Sequence, residues 1–122
     1  MHRTFPAILL AALCALSGAA HATENSEATG TVATFAAGCY WCVERDFDQV
    51  PGVLETTPGF MGGFLDNPTY DEVGTGLTGH TEVVRVRFNP VIVSYQSLLD
   101  YYWRHVDPTD GDGQFCDRGT PY

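Results

Sequence analysis

The chain has no lysine, and its six arginines face fifteen acids, for a formal charge of −9. That shortage of cations argues against binding to duplex nucleic acid, which needs a basic footprint to displace counterions. It also argues against a polybasic contact with anionic lipid. The only long apolar run, Phe5 to Leu16, has 12 residues, short of the roughly 20 that a membrane-spanning helix needs. Internal repeats are absent, and 122 residues allow one domain. Hydrophobic residues at 44% are ordinary for a globular chain.

What precedes and follows the apolar run gives it a meaning. His2 and Arg3 come before it, and Ser17, Gly18 and the A-x-A pattern Ala20-His21-Ala22 come after it. This order predicts a cleaved export signal over residues 1–22 and delivery to a bacterial periplasm. Residues 23–30, small and polar, read as a flexible lead-in. The mature chain then keeps five arginines against fifteen acids, a charge of −10, and three cysteines: Cys39, Cys42 and Cys116. An odd number in an oxidising compartment points to thiol chemistry rather than a structural staple.

The pattern of the mature chain predicts strand, helix, strand, long loop, strand, helix and an acidic tail. The strands are placed over 31–37, 53–60 (weakened by Pro58) and 81–88, and the loop over 62–79. The helices are placed over 40–50 and, capped by Ser94, up to Val106. A β-α-β-β-α order is the α+β, ferredoxin-like split β-α-β plan with its last strand missing.

Two features carry chemistry. Gly38-Cys39-Tyr40-Trp41-Cys42 lies between a strand and a helix. A thiol there meets unpaired N–H groups and the positive end of the helix dipole, which favour the nucleophilic thiolate. A bare C-x-x-C also suits a thioredoxin-like redox site or, with Cys116 and a His, half a zinc site. No second close Cys or His pair supplies the zinc spacing. Glu82 falls on the apolar face of the strand 81–88, where burial would make it a proton donor; its place near the strand end leaves exposure equally open. Tyr70 and Tyr122 offer phenols suited to a developing oxyanion, or simply to packing. Gly74–Gly79 matches G-x-G-x-x-G but precedes a strand, so no helix N-terminus would receive a phosphate. Asp107–Asp117 imitates a calcium loop but has Phe115 where the glycine is required. His80 and His105 have no partner at metal-ligand spacing.

Together these segments resemble a known family, the peptide-methionine (S)-S-oxide reductases (MsrA). The matching stretches are Gly38–Glu44, Gly59-Phe60-Met61-Gly62-Gly63, Asn67-Pro68-Thr69-Tyr70, Gly79–Val84 and Asp117–Tyr122. The resemblance implies that Cys39 is the nucleophile and Glu82 the proton donor. It also implies that Tyr70 and Tyr122 bind the sulfoxide oxygen. Tyr40 and Trp41 then cage the S-methyl group, with Tyr40 standing where the family usually has Phe, and Asp117 sits beside the substrate backbone. It implies further that Cys39 becomes a sulfenic acid that a second thiol converts to a disulfide, Cys116 being slightly favoured over Cys42. A thioredoxin-type dithiol would clear that disulfide, with no bound cofactor and no metal, in a monomer. The alternatives are a thioredoxin-like disulfide oxidoreductase and an inactive methionine-binding module. Relatives continue past the final Tyr with another strand. The comparison therefore predicts a C-terminally incomplete domain over 31–122, an open edge at the first strand, a frayed Tyr122, low stability and weak activity.

Overall fold

The computed structural model describes residues 30–122. The expected export signal over 1–22, and the lead-in up to residue 29, lie outside the described residues. Three strands, β1 (Thr31–Phe35), β2 (Val53–Met61) and β3 (Thr81–Phe88), form an antiparallel sheet in the order β1-β3-β2. Helix α1 (Tyr40–Asp48) connects β1 to β2, and β3 lies between those two strands. This is the split β-α-β arrangement, in a mixed helix-and-sheet fold. Among the described residues β1 and β2 are the edges of the sheet.

Strand β3 alternates almost without exception. Glu82, Val84, Val86 and Phe88 are buried, while Arg85 is exposed and Val83 and Arg87 are half-buried. The period of two follows from the pleat. On the outer face Arg87 pairs with Glu55 at 3.0 Å across the ladder. A register shift between Val53 and Glu55 leaves Leu54 out of the pairing. Strand β2 runs straight through Pro58 to Met61, longer than the weakened strand the sequence suggests. An edge position explains this, because a missing N–H there need cost no ladder bond.

The inner face carries the core: Ala33, Phe35, Val84, Val86 and Phe88 from the sheet, Val43 and Phe47 from α1, Val93, and Leu98 from α3 (Tyr95–Tyr102). Phe35 stacks on Phe47 with centroids 4.6 Å apart. Two phenols fasten α3 to its neighbours. Tyr101 donates to the Asp46 carbonyl at 2.9 Å, and Tyr102 donates to the Ala36 carbonyl at 2.8 Å.

Several boundaries depart from the sequence reading. β1 stops at Phe35 rather than residue 37, where the chain turns toward α1. α1 ends at Asp48 and α3 at Tyr102 instead of Val106. After α3, Arg104 N–H donates to Tyr101 and His105 N–H to Tyr102, a tighter final turn than an α-helix. The loop over 62–79 contains a short helix, α2 (Tyr70–Gly74), closed by a capping box between Thr69 and Glu72. The tail forms a hairpin, β4 (Gly113–Gln114) with β5 (Asp117–Arg118), tied by an Arg118–Asp110 ion pair.

Candidate active site

Cys39 is the N-cap of α1, and its carbonyl accepts from Cys42 N–H at 3.0 Å and Val43 N–H at 3.1 Å. The turn that brings it there needs Gly38. Its φ is +77°, and a Cβ would lie 2.5 Å from the Gln114 side chain. Half-buried Cys39 therefore follows a glycine packed against the β4–β5 hairpin.

Glu82 settles the choice left open by its strand-end position, being only 2% exposed. Its Oε2 accepts the Tyr40 N–H at 2.9 Å. One of the free helix N–H groups expected around Cys39 is thus committed to this carboxylate. Burial raises the Glu82 pKa above the ordinary range, the Tyr40 N–H opposes the rise, and Asp117 adds to it. A carboxyl whose pKa is raised, bound to the N–H of the residue after a thiol, is suited to donate a proton.

The aromatic rings gather at the same place. Tyr40 lies 6.1 Å from Trp41, 5.7 Å from Phe60 and 6.3 Å from Tyr70, centroid to centroid. Trp41 is 69% exposed, so its ring forms an open wall rather than core. Burial first, then Glu82, Tyr70 and Cys39, raise the Tyr40 phenol pKa. Phe60 carries no role in the sequence reading, yet it packs on both Tyr40 and Tyr70. Its register partner on β3 is Glu82, and strand pairing is the signal that would have found it.

Tyr122 is not frayed. Its N–H donates to Gly119, and the preceding Pro121 carbonyl accepts the Glu82 N–H at 2.8 Å. β3 thereby holds the segment by its backbone. Hydrogen bonding to Tyr70 first, then burial and the neighbouring Tyr70, Glu82 and Asp117, push the Tyr122 pKa up to about 12. The Tyr122 phenol therefore stays protonated and able to donate across the working pH range. Tyr70 comes from the start of α2, so the missed helix is what aims it. His80 secures the loop that carries α2. Its Nδ1 accepts the Gly63 N–H at 3.2 Å, and its Nε2 lies 2.9 Å from the Leu65 carbonyl.

The two spare thiols are placed differently. Cys42 is exposed, and interaction with the Cys39 thiol first, then burial and the Cys39 charge, raise its pKa. Cys116 is exposed at the tip of the β4–β5 hairpin, beside Phe115 in the left-handed region (φ 52°). Asp117, next to it, is close enough to Glu82, Cys42 and Tyr122 to raise the pKa of each. Among the described residues no three His, Cys, Asp or Glu side chains converge as a metal site.

A thiol at a helix N-cap, a buried acid on its first N–H, two phenols and a cluster of aromatic rings are gathered in one place on an α+β scaffold. The chain belongs to the family described as "Peptide methionine sulfoxide reductase", whose model matches residues 31–122. It is 61% identical over 90 residues to "Peptide methionine sulfoxide reductase MsrA 2" of Rhizobium meliloti, covering 74% of this chain and 44% of that one. The Caulobacter vibrioides protein of the same name is 50% identical over 115 residues, covering 94% and 58%. The structure of methionine sulfoxide reductase A of Corynebacterium diphtheriae superposes with a TM-score of 0.75 at 41% identity, covering 79% of this chain and 45% of that one. Reduced Mxr1 from Saccharomyces cerevisiae gives 0.72 at 30% identity, covering 79% and 57%. The chain spans about half the length of most curated relatives it matches.

Proposed function

We propose that this protein reduces methionine (S)-sulfoxide in peptides and proteins to methionine. The observation that carries the reading is the buried Glu82, bound to the N–H of the residue after Cys39. Cys39 attacks the sulfoxide sulfur while Glu82 protonates its oxygen, with Tyr70 and Tyr122 donating to that oxygen. Methionine departs, and the oxygen stays on Cys39 as a sulfenic acid. The Tyr40, Trp41 and Phe60 rings favour an S-methyl group over polar ones, and the family resemblance assigns Asp117 to the substrate backbone. The S-epimer preference comes from the family alone.

Cys42 is the resolving thiol in this reading: it lies three residues along α1 from the N-cap Cys39 and the two thiols are close enough to interact, whereas Cys116 sits at a hairpin tip. Condensation of Cys42 with the sulfenic acid releases water and forms a Cys39–Cys42 disulfide. An external dithiol of the thioredoxin type then restores both thiols. A plain thioredoxin-like oxidoreductase would use the same two cysteines but leave Glu82, Tyr70 and Tyr122 without a task. The basic start, apolar run and A-x-A pattern of residues 1–22 support export to the periplasm.

The test is direct. The chain, incubated with a methionine sulfoxide peptide and dithiothreitol, is expected to release methionine peptide, and Cys39→Ser to release none. Sulfoxide binding without turnover would favour the binding-module alternative.

A further inference from the structure

Cys42 has a second side. Away from Cys39 it lines a groove between α1 and the end of α3, with Tyr101, His105, Val106 and Phe115. The groove holds about 50 Å³, where a cavity needs about 10–15 Å³ to hold one water. That is room for a small side chain such as a thiol-bearing one.

His105 in this groove is an oriented base. Its Nδ1 lies 2.7 Å from the Tyr101 carbonyl, which can only accept, so Nδ1 carries the hydrogen. Its ring stacks on Tyr101 with centroids 4.1 Å apart. Nε2 makes no hydrogen bond to any described residue and is left with a lone pair, on a side chain exposed to solvent.

We propose that His105 is the acid–base group of the regenerating half of the cycle, and that the groove receives the thiol side chain of the reductant. This rests on the reading above that Cys42 resolves Cys39. The exposed Cys42 sulfur is the accessible end of the disulfide. A reductant thiol gives its proton to His105 Nε2, and the resulting thiolate attacks Cys42. The Cys39–Cys42 bond breaks, and its electron pair leaves on Cys39 as thiolate. The second thiol of the reductant, its proton lost to solvent, attacks the mixed disulfide and closes the reductant's own disulfide. Cys42 leaves and takes back the proton from His105. The net change is one disulfide reduced, one dithiol oxidised and one proton released with Cys39 as thiolate. Asp46 on α1 and Tyr101 and Tyr102 on α3 are the other titratable groups lining the groove.

The experiment follows reduction of the oxidised full chain by dithiothreitol in a rapid-quench assay, beside His105→Gln. Peptide mapping first confirms which disulfide is present. The variant is expected to be reduced about tenfold or more slowly at pH 7. Its first turnover of sulfoxide, measured without reductant, should be unchanged. The deficit should close as pH rises past about 8.5, where thiols ionise unaided, and added imidazole should restore the rate. Equal rates for the two proteins, or a deficit independent of pH and imidazole, would overturn the role of His105. A map with Cys39 joined to Cys116 instead would overturn the Cys42 reading, and this inference with it.

Discussion

Around β1, β3, α1 and α3, nine buried apolar side chains fill the space between sheet and helices. In the segment from Gly62 to Gly79, by contrast, Val73 is the buried apolar side chain, and hydrogen bonds set the shape. His80 bridges Gly63 and Leu65, Phe64 N–H reaches the Thr78 carbonyl, and Thr69 and Glu72 close the capping box. The first region places Cys39 and Glu82, and the second brings Tyr70 to Tyr122. Apolar burial is cooperative and non-directional, so it holds a scaffold against global unfolding. Hydrogen bonds in a glycine-rich loop are individually modest and open locally. The thiol and the buried acid are on the scaffold, and Tyr70 is on the loop.

The sharpest way to break this comparison is at the scaffold's own chemistry. Cys39→Ser is expected to abolish turnover with the thermal transition intact, since it changes one half-buried atom. Glu82→Gln is expected to lower kcat/KM by about 10²–10⁴-fold. It separates activity from stability, because the folded pKa of Glu82 lies above its unfolded value. Its stabilising contribution is therefore complete below the ordinary carboxyl range and lost as pH rises through the raised value. Turnover should fall through the same window. Glu82→Gln, which still accepts the Tyr40 N–H, should flatten the pH dependence of stability and raise Tm at neutral pH. A lower Tm there would contradict the burial argument.

Next in size is the core. Phe47, 2% exposed and stacked on Phe35, is expected to cost about 3–5 kcal/mol when cut to alanine, read as a shift of the denaturation midpoint. The smallest effect belongs to the loop. His80→Ala should cost about 1–2 kcal/mol, seen as faster hydrogen exchange at the Gly63 amide with the β3 amides still protected. If His80→Ala loosened the sheet as much as Phe47→Ala does, the two regions would be one cooperative unit and the contrast would fail.

β3 was legible because its alternation runs along the whole of Thr81–Phe88, the strand between β1 and β2. The Cys39–Tyr40–Trp41–Cys42 turn was legible because Gly38 separates two clear periodicities. Helix α2 was not, although Thr69 and Glu72 stand at capping-box spacing, because five residues between glycines carry no apolar period. The end of α3 was misplaced because Val106 continues the period after the hydrogen bonding has tightened.

The sequence by itself determined which chemistry is present: a cysteine at the turn into a helix, a carboxylate on a strand's apolar face, and aromatic residues at motif spacing. Those follow from residue type and local period, which the chain carries along its length. Only the tertiary structure decided that Glu82 is buried rather than exposed, that Phe60 joins the cage and that Tyr122 meets Tyr70. It also put Cys116 at the tip of a hairpin. The first three depend on strands and loops far apart in the chain being brought into register, and no local pattern encodes that distance.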